Sequence, residues 1–122
     1  MRRVVVTGLG ALTPIGNNIA EYLQGLQNGR SGAAEITHFD AAKFKTRFAC
    51  EVKNFDAKAT LGVKSARRLD PFTQYAETAV KEAMNKSGLD TNTIDLDRAG
   101  VIWGSGIGGF TTIENETLAF AT

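Results

Sequence analysis

The sequence predicts an α/β layer architecture in which parallel strands are covered by helices, and three observations carry that expectation. Two short runs, Arg3-Val4-Val5-Val6-Thr7 and Gly100-Val101-Ile102-Trp103, are continuous rather than alternating in polarity, as parallel strands covered on both faces are. Each run empties into a glycine-rich loop. Between them lie helices whose apolar residues fall on one stripe.

The elements follow in order. After the first run and Gly8-Leu9-Gly10, Asn18 caps a helix with Glu21 three residues on. Ile19, Tyr22, Leu23 and Leu26 form its apolar face, and Gly29 stops it. Residues 30–64 read as a long, partly structured excursion, with a short strand within Phe48 to Val52 and the scattered aromatics Phe39, Phe44, Phe48 and Phe55. The best helix comes next: Asp70 is its N-cap, Pro71 its first residue, and Phe72, Tyr75, Ala76, Ala79, Val80, Ala83 and Met84 trace one stripe. Glu77 with Lys81 and Glu82 with Lys86 are expected as solvent-side pairs, and Gly88 ends the helix. A polar connector, Asp90 to Asp97, leads to the second run and its glycine loop. A last helix is expected from Thr111, with Glu114 as its capping-box partner.

Composition narrows the class. The 122 residues are 43% hydrophobic and 22% charged, ordinary for one modest globular domain. No apolar run approaches the ~20 residues that span a bilayer, and Met1-Arg2-Arg3 leads into only Val4-Val5-Val6, too short for a signal-peptide core. A cytoplasmic protein without membrane attachment is the expectation. One cysteine and one histidine exclude an internal disulfide and a structural zinc site. The net charge of +1 gives no global attraction to nucleic acid, so electrostatic recognition must come from a local cluster. Two strands make a thin sheet for so many helices. The sequence therefore reads as the beginning of a larger, incomplete α/β fold with much apolar surface exposed.

Gly104, Gly106 and Gly109 spell G-x-G-x-x-G, the pattern that cradles a dinucleotide pyrophosphate after a strand. It follows the second run rather than the first, and the acidic ribose partner expected ~20 positions on falls past Thr122. Gly8-Leu9-Gly10-Ala11-Leu12-Thr13 lacks the third glycine. A dinucleotide-binding oxidoreductase is thus the weaker alternative.

A collinear set of motifs is more specific. Val4-Val5-Val6-Thr7-Gly8-Leu9-Gly10, Thr13-Pro14-Ile15-Gly16, Ser31-Gly32, His38-Phe39-Asp40, Arg67-Arg68-Leu69-Asp70, Ser87-Gly88-Leu89 and Gly104-Ser105-Gly106-Ile107-Gly108-Gly109 together closely resemble the amino-terminal portion of type II β-ketoacyl-acyl-carrier-protein synthases, over essentially the whole chain. The resemblance implies a thiolase-like layered fold, a homodimer, and condensation of an acyl thioester with malonyl-acyl-carrier protein in fatty-acid elongation. It implies no cofactor of the enzyme's own, since phosphopantetheine is carried by the acyl-carrier protein. It also implies that residues 1–122 are the amino-terminal portion of a synthase domain, ending before the nucleophilic cysteine and the two histidines of the family. The fragment alone is then inactive, with no catalytic residue.

Cys50 is no substitute. Phe48-Ala49-Cys50-Glu51-Val52 alternates like a strand, and Glu51 supplies the wrong charge for a thiolate, so a small buried or half-buried thiol is expected. His38 has no nucleophile paired with it in sequence, and a structural hydrogen-bonding role is expected. Two features remain for function. Lys64, Arg67 and Arg68 share one face if helical; read alone they are a solvated basic turn, whereas the resemblance assigns them to docking the acidic acyl-carrier protein. Ile107 read alone is a core residue. The resemblance instead projects it into the acyl channel, where it helps set the chain length accepted. A non-catalytic, synthase-like partner subunit is the other alternative.

Overall fold

A computed structural model describes residues 3–122. The chain first runs as extended coil to a tight turn, in which Thr13 and Gly16 exchange backbone hydrogen bonds of 2.9 and 3.3 Å. Helix α1 (Ile19–Gln27) starts where its cap is written: Asn18 Oδ1 accepts the N–H of Glu21, and the Glu21 carboxylate accepts the N–H of Asn17 at 2.8 Å. It ends in a Schellman motif. The N–H of Arg30 reaches the carbonyl of Gly25 at 2.9 Å, and that of Gly29 the carbonyl of Leu26 at 3.0 Å.

The excursion that follows holds strands β1 (Ala34–Glu35) and β2 (Phe48–Ala49), paired antiparallel with Ala34 opposite Ala49. Phe39 and Phe44 meet edge to face at 5.4 Å in the loop between them. Two short helices come next, α2 (Ala57–Leu61), capped by Asp56 through the N–H groups of Lys58 and Ala59, and α3 (Val63–Arg68). Helix α4 (Pro71–Ser87) is the axis of the structure. Its backbone start at Asp70, its proline at the first position and its end at Gly88 match the expectation. A 3-10 turn (Leu96–Arg98) interrupts the polar connector, and α5 (Phe110–Ala121) completes the described chain.

The expected parallel strands are a correction. Arg3–Thr7 and Gly100–Trp103 are extended but belong to no sheet, and among the described residues the one sheet is the antiparallel β1–β2 pair. A strand exists through its hydrogen-bond ladder, and neither run has a ladder partner here. The segment after the first run, and the second run itself, meet α4. Gly8 and Gly10 bring bare backbone onto Ala79, Ala83 and Ser87, so close at Gly10 that a Cβ would overlap the Ala79 carbonyl. Val101 and Trp103 sit beside Thr73, Ala76 and Val80, walling a shallow apolar depression.

Where a core would sit, the described chain has no buried large hydrophobic side chain. Val4 is 91% and Ile102 100% exposed, which agrees with the expectation of extensive apolar surface. Polar contacts hold the elements together instead. Glu82, expected on the solvent side of α4, is only 17% exposed at its side chain. Its carboxylate accepts the backbone N–H of Ala11 and of Ile19, each at 3.0 Å, as well as the expected Lys86 ammonium at 2.6 Å. The Glu77–Lys81 pair does not form among the described residues.

Candidate functional site

Helix α3 begins after Gly62 and is short, so its six residues need outside support. Gln74 of α4 supplies it: the side-chain amide donates to the carbonyls of Ala66 at 3.1 Å and Leu69 at 2.7 Å, satisfying groups that the helix end leaves unpaired. Phe55 packs edge to face on Tyr75 at 5.5 Å, adding an aromatic contact beneath the α2–α3 segment. So held, α3 carries Lys64, Arg67 and Arg68, and all three are exposed. Lys64 and Arg68 border a depression of about 360 Å³ with Ser65, Leu69 and Glu77. The ion pairs among the described residues are His38–Glu51 and Lys86–Glu82, which leaves the three α3 cations to solvent.

The glycine loop lies beside Asp70, Pro71 and Phe72 at the start of α4. Gly108 and Gly109 adopt φ of 59° and 60°, a left-handed pair that an L side chain would strain. This reversal turns the extended run into α5 and brings Gly108 against the ring of Phe72. Ile107 precedes the pair and is 73% exposed, so it is not a core residue of this chain.

The capping of α5 departs from the sequence reading. Gly109, not Thr111, is the N-cap, and the helix has no cap from its own side chains. Asp70 provides one from 42 residues upstream. Its Oδ2 accepts the Thr112 hydroxyl at 2.6 Å and its Oδ1 the Thr112 N–H at 3.3 Å. Correspondingly the Asp70 side chain makes no bond to its own helix, where only its carbonyl accepts, from Thr73 and Gln74 at 3.0 Å. Asp70, Gln74 and Glu82 are the positioning residues that the sequence did not single out for these roles.

His38 and Cys50 lie outside this arrangement. Glu51 organises the His38 loop, accepting the Thr37 hydroxyl at 2.7 Å and N–H at 3.0 Å, with His38 Nε2 3.9 Å away. The Thr37 hydroxyl holds the Glu51 carboxyl below its ordinary range, against the opposing effect of burial. Cys50 is exposed, a correction to the expected buried or half-buried thiol: its strand ends at Ala49, and nothing covers it among the described residues.

The family described as Beta-ketoacyl synthase, N-terminal domain, matches residues 1–121. The chain belongs to this family. The 3-oxoacyl-[acyl-carrier-protein] synthase 2 of Synechocystis sp. is 48% identical over 115 residues, 94% of this chain and 28% of the relative. The protein of the same name from Coxiella burnetii is 45% identical over 121 residues, 99% of this chain and 29% of the relative. Among solved structures, one titled "The ishigamide ketosynthase/chain length factor" superposes with a TM-score of 0.65 at 36% identity, covering 76% of this chain and 23% of that one. The chain therefore spans under a third of the length of these relatives. Among the described residues, no strand immediately precedes the G-x-G-x-x-G of the glycine loop, whereas a dinucleotide site requires one. Among the described residues no helix is long and apolar enough to cross a membrane.

Proposed function

We propose that this chain is the carrier-docking and acyl-gating portion of a decarboxylating β-ketoacyl-acyl-carrier-protein synthase, which joins acyl groups to malonyl units during fatty-acid elongation. The observation that carries the reading is the basic face of α3: Lys64, Arg67 and Arg68 are exposed together, without an ion-paired carboxylate among the described residues. Such rim charges steer an acidic partner and are screened over ~8 Å at physiological salt, which suits a carrier that must bind and leave each cycle. Ile107 stands on the glycine loop with its side chain free, a placement consistent with contact to an acyl chain. The condensing chemistry itself needs a thiolate to accept the acyl group and donors to stabilise the enolate left when malonyl loses carbon dioxide. In this reading residues 1–122 supply neither.

A second reading, a non-catalytic partner subunit that shapes the channel of an active one, is favoured by the solved neighbour whose title pairs a ketosynthase with a chain length factor. A cysteine at a strand-to-helix turn in the rest of the polypeptide separates the two readings: its presence supports the enzyme and its absence the partner subunit.

The test is charge reversal in the full-length protein. Lys64→Glu, Arg67→Glu and Arg68→Glu together are expected to slow association with the acyl-carrier protein at least about tenfold at low salt, the difference shrinking as salt is added. Acyl thioester analogues without the carrier should react nearly as before. Unchanged carrier affinity at low salt returns the cluster to a solvated surface turn.

A further inference from the structure

Asp70 stands between the two features just described. It lies two residues beyond Arg68, the end of α3, and its backbone carbonyl starts α4. Its carboxylate is spent on neither helix and instead holds Thr112 through two bonds, from the hydroxyl at 2.6 Å and the N–H at 3.3 Å. Thr112 follows the Gly108–Gly109 reversal by three residues, so fixing it fixes the carboxyl end of the loop that carries Ile107. Beside it, Phe72 bears on Gly108 from the first turn of α4.

The remaining loop glycines supply no restraint of their own. Gly104 and Gly106 have open space where a side chain would stand. A charge-assisted pair of hydrogen bonds is stronger than neutral ones, and here it also places a negative charge at the amino end of α5. Among the described residues, the two hydrogen bonds involving a side chain that link residues 100–122 to the rest both run from Thr112 to Asp70.

We propose that Asp70 is a positioning residue that sets the placement of Ile107, and with it the acyl chain length accepted, by anchoring the first turn of α5 through Thr112. The proposal rests on the reading of Ile107 as a channel residue. Its position directly after the basic helix also means that a partner seated on α3 bears on the residue that holds the gate.

The experiment uses the full-length protein with Asp70→Ala, Thr112→Val and Asp70→Asn. Asp70→Asn retains an oxygen acceptor for the Thr112 N–H and an amide donor for its hydroxyl, so it serves as the conservative rescue. Specificity constants are measured for a short and a long acyl primer, with melting temperature and amide hydrogen exchange across residues 104–113. Asp70→Ala and Thr112→Val are each expected to change the long-to-short ratio by about fivefold and in the same direction, since selectivity is a difference in fit between substrates. The double variant Asp70→Ala/Thr112→Val should be no worse than Asp70→Ala alone, because Thr112→Val removes one of the two bonds that Asp70→Ala already removes. Exchange over 104–113 should rise in these variants and return to normal in Asp70→Asn.

A uniform loss on both primers with a lowered melting point, and unchanged exchange in the loop, overturns the proposal. Raised loop exchange with an unchanged primer ratio also overturns it, because the anchor then exists without setting selectivity. If the wild-type full-length protein condenses no primer at all, the enzyme reading fails separately, and the chain length of acyl-carrier thioester bound by wild type and Asp70→Ala decides the positioning role.

Discussion

Residues 8–30 and residues 100–122 meet the same helix, α4, in opposite ways. The first segment presses glycine backbone onto Ala79 and Ala83 and is clamped at Ala11 and Ile19 by the carboxylate of Glu82. The second leaves Val101, Ile102 and Ile107 largely exposed and makes its side-chain hydrogen bonds to α4's cap residue, Asp70, through Thr112. Close backbone packing and satisfied N–H groups make the first segment a scaffold. In the second, Gly100, Gly104 and Gly106 meet nothing, so fewer contacts restrain it.

Alanine substitution of one glycine on each side breaks or sharpens that contrast most strongly. Gly10→Ala drives a methyl group into the α4 backbone, which cannot yield as a side-chain tip can, and is expected to cost about 3 kcal/mol in chemical denaturation. Gly106→Ala has open space around it, and a change within about 0.5 kcal/mol is expected. Equal costs at the two sites would erase the distinction.

Glu82 is the next lever. Glu82→Ala leaves the N–H groups of Ala11 and Ile19 without their acceptor and is expected to lower stability by about 2 kcal/mol. Its pH dependence has a definite sign. Burial pushes the Glu82 carboxyl up, but the Lys86 ammonium and the N–H groups of Ala11 and Ile19 outweigh it, leaving the group below its ordinary 4.5. The stabilisation is therefore complete above about pH 4.5 and is lost as pH falls through the lower folded value. A stability profile against pH should be flatter in acid for Glu82→Gln than for wild type, and identical acid profiles would remove Glu82 from its role.

The smallest effect on stability is expected at Ile107. Ile107→Phe enlarges an exposed side chain, so the melting temperature should stay nearly unchanged while turnover of a long acyl primer falls far more than that of a short one. A lowered melting temperature with uniform loss would make Ile107 a packing residue of the complete fold.

What could be read from the sequence divides along the same line. Helices α1 and α4 were legible to their ends because Asn18, Glu21, Gly29, Pro71 and Gly88 act on groups within a few residues. The two apolar runs read as strands in composition but form none here, since a ladder depends on partners distant in the chain. Glu82 looked like half of an i,i+4 pair because its other partners lie 71 and 63 residues upstream. Asp70 likewise read as the cap of the helix it precedes, while its carboxylate serves Thr112. The shared face of Lys64, Arg67 and Arg68 on α3 was legible from their spacing, whereas Ile107 read alone was a core residue and only the resemblance singled it out. The support each receives from α4 was not legible, because Gln74 and Asp70 act across elements.

If residues 1–122 supply docking and gating while the nucleophile lies elsewhere in the polypeptide, acyl labelling locates that nucleophile. The full-length protein is incubated with a radiolabelled acyl-carrier thioester, digested, and the label assigned to a peptide. A thioester is expected outside residues 1–122, with incorporation unchanged in Cys50→Ala. A stable acyl group on Cys50, abolished by Cys50→Ala, would contradict it.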